Sequence, residues 1–318
     1  MIGEMSTELV LYEGHGHEKV RFWNSLPEDE RRRRALEAAR DHDEEALWDM
    51  LEAYLRTHGS AGNLISERTL KAYRAGLRRL LAAWKGMKLT APGRDTGAVW
   101  VRELEDHGLK PATVGVYVAS ARKLYEALRW TGATKADPFL DVHPAKDKTE
   151  KWEKRQPYTE DELTALLACA EGPDRLLVLL CGHVGLRNFE ACALKWVDVN
   201  VSAGQLVVLL GKGRKKRTSV LSPTLKAVLE ETPREGEYVL PWRSIWTAPR
   251  HMKVLCETAG VEYRSVHSLR HTAGTWLVGE GEGSLEDAAR QLGHSSIETT
   301  RIYIAWSDQS LRKALAKR

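Results

Sequence analysis

The chain is 318 residues long with a formal net charge of +4, and 29% of its residues are charged against 42% hydrophobic. That length accommodates two domains of ordinary size, each with its own core. A mean hydropathy of −0.42, with no apolar run near the roughly 20 residues of a membrane span, argues against a helical membrane protein.

No charged-then-apolar leader opens the chain, so the expected location is the cytoplasm, around the nucleoid. Cys169, Cys181, Cys192 and Cys256 show no C-x-x-C spacing and read as reduced, mostly core residues. Residues 1–40 form an N-terminal extension rich in Gly, His and Arg, its first 15 to 20 residues expected to be mobile and Glu28–Arg40 partly helical. Gly14-His15-Gly16-His17 offers two imidazoles without a third ligand, which is not a metal site. Arg31 to Arg34 form a run of arginines that reads equally as a solvated face or a nucleic-acid contact; a pI of 8.8 permits the second without establishing it.

From about residue 41 the pattern turns helical. Leu47, Met50, Leu51, Tyr54 and Leu55 recur at three and four, one buried stripe, until Gly59-Ser-Ala-Gly62 breaks it. Ser66 opens a second helix with Leu70, Tyr73, Leu77, Leu80, Leu81 and Trp84 inside. Arg68, Lys71, Arg74, Arg78 and Arg79 cover its other faces. A third helix spans Thr96 to His107. A fourth starts at Lys110-Pro111 and runs to Trp130, with Arg122, Lys123 and Arg129 on its polar side. Asp137-Pro138, His143-Pro144 and the charged run Lys146–Arg155 form a polar, Pro-punctuated stretch expected to link two domains.

The second domain opens on the capping box Thr159–Glu162 and continues with a core helix through Leu176–Leu180 and a helix from Asn188 to Lys195. Val197–Asn200, Leu206–Leu210 and Arg217–Leu221 predict three short strands, with turns at Gly204 and Gly211–Gly213. Helices return from Pro223. A capping box at Ser295–Glu298 is expected to start the helix carrying Tyr303, and Ser307–Arg318 reads as a last amphipathic helix with Leu311 and Leu315.

The chemistry-bearing residues break all of these periods. His267-Ser-Leu-Arg270-His271, Gln291-Leu-Gly-His294 and Thr300-Arg-Ile-Tyr303 bring imidazoles, a guanidinium and a phenol together in a mixture that no apolar core requires. Gly185-Leu-Arg187-Asn-Phe-Glu190 and Gly211-Lys212-Gly213-Arg-Lys215-Lys216-Arg217 precede them. Arginine forks match phosphate oxygens, histidine moves protons near neutrality, and a phenol becomes a nucleophile where cations stabilise its phenolate. His267 and His271 sit four apart, but position 268 is Ser and no third metal ligand is apparent. Neither a carboxylate cluster for two metal ions nor a phosphate-binding G-x-x-x-x-G-K-[ST] loop is present.

In order and local context, Arg187, Lys212, His267, Arg270, His294 and Tyr303 resemble the active-site series of the tyrosine recombinases, the phage integrase family. The resemblance is strong over residues 156–306 and weaker over 43–150. It implies a mainly α protein with a helical core DNA-binding domain at 41–145, a linker at 146–156, and a catalytic domain at 157–318. That catalytic domain would be mostly α with a small three-stranded antiparallel sheet and a C-terminal docking helix. It implies cleavage of double-stranded DNA at a specific site through a 3′-phosphotyrosyl intermediate, without metal or other cofactor, by a homotetramer on two duplexes that is a monomer in solution.

Under it Arg187 and Arg270 clamp the scissile phosphate while His267 and His294 bond its oxygens or move protons. Lys212 protonates the leaving oxygen, with Lys215 and Lys216 as competitors on the same hairpin, and Glu190 supports the site indirectly. Arg74, Arg78, Arg122, Lys123, Lys215, Lys216 and Arg217 are the candidate DNA contacts. Ser268 stands where the family often has Asp, and Asn188-Phe189 replaces the usual Ile-Ser; neither removes a chemical group. Two other readings remain at this point: a monomeric type IB topoisomerase-like enzyme, and a DNA-binding relative without catalysis.

Overall fold

A computed structural model describes residues 17–59, 65–149, 156–209, 216–294 and 296–303. They fall into two compact units divided between Lys148 and Thr149. The expected mobile N-terminus, the Gly211–Gly213 turn and the Ser307–Arg318 helix lie outside the described residues.

The first unit is all helix: α1 at residues 17–25, α2 Glu28–Asp41, α3 Glu44–His58, α4 Glu67–Ala83, α5 Thr96–Asp106 and α6 Pro111–Trp130. Local chemistry sets the starts. Asp43 accepts from the N–H groups of Glu45 and Ala46, Ser66 accepts from Thr69, and Pro111 occupies the first turn of α6. The predicted stripes are the core: Leu47, Met50, Leu51 and Leu55 of α3 and Leu70, Leu77, Leu80 and Leu81 of α4 are buried. Helices α4 and α6 cross so closely that a Cβ at Gly76 would come within 2.5 Å of Ser120 Cβ. There the Ser120 hydroxyl donates to the Tyr73 carbonyl at 2.6 Å.

The Pro-punctuated stretch after α6 behaves differently from its composition. Phe139 is buried, stacked on Trp84 at 5.7 Å between centroids and met by Trp100 and Tyr125 at 5.7 and 5.9 Å. Gly97 has no room for a side chain, since its Cβ would lie 2.0 Å from the Pro138 carbonyl oxygen. Arg122 donates to the carbonyls of Phe139 and Val142. Residues 137–142 therefore pack on the first unit, with Phe139 in its core and Val142 against it. Proline and aspartate signal a loop correctly, but one phenylalanine among them fills an aromatic socket and pins that loop down.

The second unit contains α7 Glu160–Cys169, α8 Gly172–Gly182, α9 Asn188–Ala193, α10 Pro223–Glu231, α11 Thr247–Ala259, α12 Val266–Val278 and α13 Leu285–Leu292. The Thr159–Glu162 capping box forms in both directions. Leu176 through Leu180 of α8 are all buried, packed against α12. Strands β1 Val199–Asn200, β2 Gln205–Val208 and β3 Arg217–Val220 make one antiparallel sheet in the order β1-β2-β3, with Val199 opposite Leu206 and Val208 opposite Arg217. The first strand is shorter than expected. Val197 and Asp198 instead lie in a 3₁₀ turn, because Trp196 donates its N–H to Glu237 and Lys195 bridges to Tyr238, diverting the chain before it reaches β2. The amphipathic face of α13 carries its own capping box, Ser284 with Asp287.

Truncating Phe139 to alanine should remove about 3 to 5 kcal/mol from the unfolding free energy, the usual cost of emptying a closed aromatic site. Urea denaturation followed by tryptophan fluorescence reads it. A loss below about 1 kcal/mol would mean Phe139 does not belong to that core.

Candidate active site

The site begins where α8 turns into α9. Gly185 takes a left-handed conformation (φ +79°), and a Cβ there would lie 2.2 Å from Leu292 Cδ2. That turn delivers Arg187 to the start of α9 in an extended conformation. Three residues on, Glu190 folds back to accept the Arg187 backbone N–H at 2.8 Å and its Nη1 at 2.9 Å.

The carboxylate of Glu190 has no solvent exposure, yet it gathers cations. Arg217, the first residue of β3, presents a two-pronged fork to it, Nη1 to Oε1 at 2.8 Å and Nη2 to Oε2 at 2.7 Å. Arg270 of α12 approaches the same carboxylate at 4.0 Å. Its own fork is spent on backbone, Nη1 donating to the Gly185 carbonyl and Nη2 to Leu292 at 2.7 Å. Burial alone would raise the Glu190 pKa, but the Arg217 fork and the Arg187 N–H outweigh it and hold the group below the usual carboxylate range. Burial, aided by the Arg187 charge, pulls Arg270 down to about 10, which leaves it cationic at neutral pH.

Tyr303 packs against α12 at Gly274, one turn after Arg270 on the same face of the helix. Its ring is buried and rests on Gly274, where a Cβ would meet ring carbons at 2.4 to 2.7 Å. His294 is nearly parallel to it at 6.1 Å, and His271 is tilted against it at 5.8 Å. His271 in turn meets His267 edge to face at 4.7 Å. His294 follows Gly293, which ends α13 in a left-handed conformation, and its Nδ1 pairs with the Thr300 hydroxyl at 2.9 Å. Burial, then the cations Arg270, Arg187 and Arg217, depress His294 to about 4. It is a neutral imidazole at working pH.

One unit thus brings together Arg187, Glu190, Arg217, His267, Arg270, His294 and Tyr303. Lys212 and Lys215 lie outside the described residues, and Lys216 is exposed. Arg217, expected as a DNA contact, instead turns inward with its fork on Glu190. Alternation could have located it: β3 buries Ser219 and exposes Thr218 and Val220, which puts position 217 on the inner face. The expected DNA contacts of the first unit have partners within the chain. Arg74 pairs with Glu44 and Glu45, Arg78 with Glu44, Lys123 with Glu126, and Arg122 with carbonyls. His271 and Thr300 join the site beyond the residues expected from the sequence, His271 against the Tyr303 ring and Thr300 on His294 Nδ1. The Ser295–Glu298 expectation lies partly outside the described residues. Ser296 caps there, on a short 3₁₀ turn at Ile297–Thr299.

The profile described as "Phage integrase family" matches residues 157–310, and that of the phage integrase N-terminal SAM-like domain matches 51–132. Tyrosine recombinase XerA of Thermococcus kodakarensis is 31% identical over 286 residues, covering 84% of this chain and 93% of that protein. The chain belongs to the tyrosine recombinases.

Solved structures agree on the fold. The XerH site-specific recombinase bound to a palindromic difH substrate, a post-cleavage complex, superposes with a TM-score of 0.65 at 19% identity, covering 95% of the recombinase described above and 94% of XerH. A lambda integrase dimer bound to a COC′ core site gives a TM-score of 0.65 at 20% identity, covering 80% and 75% respectively. Among the described residues, no helix of the recombinase is long and apolar enough to cross a membrane.

The depressed His294 sets a pH dependence. Its folded pKa of about 4 lies below the unfolded value of about 6.5, so the unfolded state binds more protons between the two. Its contribution is complete above about pH 6.5 and is lost as pH falls toward about 4. The melting temperature of the wild type should decline across that window, and His294→Asn should flatten the decline. Parallel slopes for the two proteins in scanning calorimetry would contradict the burial of a neutral imidazole.

Proposed function

We propose that this recombinase carries out site-specific strand exchange on duplex DNA through a covalent Tyr303 intermediate. The observation that supports it best is the position of the Tyr303 ring, seated on α12 between His271 and His294, on the helix that also carries His267 and Arg270. In this reading the Tyr303 oxygen attacks the scissile phosphorus and forms the 3′-phosphotyrosyl ester as the bond to the 5′ oxygen breaks. A 5′-hydroxyl from the exchanged strand then attacks the ester, restores the phosphodiester and returns Tyr303. The ester conserves the phosphodiester linkage, so the cycle balances without ATP.

Arg187 and Arg270 neutralise the nonbridging oxygens as charge builds on phosphorus. Arg270 is the more rigid of the two, since two backbone carbonyls fix its guanidinium. His294 engages Thr300 through Nδ1, which leaves Nε2 to meet a phosphate oxygen. His267 bonds oxygens or moves protons beside it. Lys212 supplies the proton to the departing 5′ oxygen. Glu190 orients Arg187 and serves the phosphate only through it. The substrate is double-stranded DNA with a specific site. Residues 41–145 grip it opposite the catalytic domain at 157–318, four copies assemble on two duplexes from monomers, and residues 308–318 dock on a neighbouring copy. The crystallised XerH and lambda integrase complexes with DNA support the choice of substrate by likeness of fold.

A nicked suicide duplex carrying the cognate site should trap a protein–DNA adduct that survives denaturation in EDTA. Tyr303→Phe preserves the ring on Gly274 and deletes only the hydroxyl, so it should give none; an adduct from that variant would reassign the nucleophile. Arg187→Ala or Arg270→Ala should slow cleavage on the order of 10³-fold. Binding, which rests on many phosphate contacts, should weaken less than about tenfold. Equal losses in both measurements would reduce these arginines to ordinary backbone contacts.

A further inference from the structure

Arg217 is the unexpected member of the site, and three observations converge on it. Its fork is bidentate on a carboxylate with no exposure, at 2.8 and 2.7 Å, and its own side chain is only 11% exposed. The same carboxylate holds Arg187 by side chain and backbone N–H. Below the fork lies Gly293, where a Cβ would come within 2.4 Å of Arg217 Cδ, one residue before His294.

The strand that carries Arg217 is tied to the same helix end. Ser219 donates its hydroxyl to the Gln291 carbonyl at 3.0 Å, and the Gln291 side chain accepts from the Val220 N–H at 2.9 Å and donates to the Val220 carbonyl at 2.9 Å. Strand β3, the end of α13 and the start of α9 therefore meet at one guanidinium.

We propose that Arg217 is a positioning residue for cleavage: it fixes the Glu190 carboxylate, and through Glu190 the guanidinium of Arg187, rather than touching the phosphate. The reasoning is geometric. A carboxylate has two oxygens, and Arg217 occupies one lone-pair position on each. Glu190 is thereby held in the plane from which Oε1 meets Arg187 Nη1. Nη1 of the Arg187 guanidinium is thereby committed to Glu190, in a side chain that is still 28% exposed. Without the fork, Glu190 is free to rotate and the Arg187 guanidinium loses its aim. A lysine at 217 would keep the charge but bring one point donor in place of a planar pair.

The proposal rests on the reading of Arg187 as a phosphate clamp, so the experiment separates the two. Cleavage rates would be measured on two suicide duplexes, one with the natural scissile phosphate and one with a methylphosphonate, whose lost negative charge removes the need for an aimed cation. The quantity read is the ratio of the two rates within each protein, in which any loss of folded protein cancels. Arg217→Lys and Glu190→Gln should each slow cleavage of the natural phosphate about 10- to 100-fold, the usual cost of misplacing a catalytic group. The double variant should be no slower than the worse single one, because both act through one contact.

On the methylphosphonate, all three should approach the wild-type rate, as should Arg187→Ala. If Arg217→Lys cleaves the natural phosphate at the wild-type rate, or is equally slow on both substrates, the positioning role is wrong. If Arg187→Ala itself is equally slow on both substrates, the clamp reading has failed instead.

Discussion

One buried carboxylate faces three guanidinium groups, and the polar interior of the second unit is arranged around that imbalance. Glu190 has no exposure and takes four hydrogen bonds, two from Arg217 and two from Arg187, with Arg270 at 4.0 Å. A lone buried carboxylate would be costly, and so would three clustered cations; each is tolerated because the other is present. The balance is incomplete, with one negative charge against three positive ones. The surplus leaves this part of the second unit at a positive potential. Burial, and after it the same surplus, depresses His294 and keeps the neighbouring imidazole neutral.

The backbone supports this arrangement through absent side chains. Gly185 lets the chain turn beneath Leu292, Gly293 makes room for Arg217, and Gly274 makes room for Tyr303. Two of the three also have positive φ, which L side chains rarely adopt. Each glycine stands beside a functional residue: two before Arg187, one before His294, four after Arg270. Close packing at these points removes slack from the side chains above them.

Much of the fold was legible in the sequence because it rests on periodicity. The stripes of α3 and α4, the caps at Ser66 and Thr159 and the three short strands all follow from spacing and local hydrogen bonding. What escaped was long-range. Phe139 looked like part of a linker because its neighbours are Asp, Pro and a charged run; its burial depends on Trp84, Trp100 and Tyr125, far away in the chain. The order of Arg187, His267, Arg270, His294 and Tyr303 could be read directly, and the structure brings these residues into one unit. Arg217 stands at the end of a basic run that reads as outward-facing, and a row of like charges hides a member that turns inward. Strand alternation from Ser219 was the available clue. The exposed basic faces of α4 and α6 likewise concealed pairs with Glu44, Glu45 and Glu126 that only helix packing creates.

The seat of Tyr303 on Gly274 carries a consequence for what can stand at position 303. The missing Cβ leaves a slot in the surface of α12 whose shape is that of a flat ring. The ring carbons nearest Gly274 are Cζ and its two neighbours, so the hydroxyl-bearing end of the ring lies over the glycine. The slot therefore works as a gauge as well as a support. It accepts a planar side chain, and the length of that side chain sets where against α12 the phenol oxygen comes to lie. Serine or cysteine in the same place would leave the slot empty and end its oxygen or sulfur short of Gly274, so this seat selects tyrosine by reach as well as by shape.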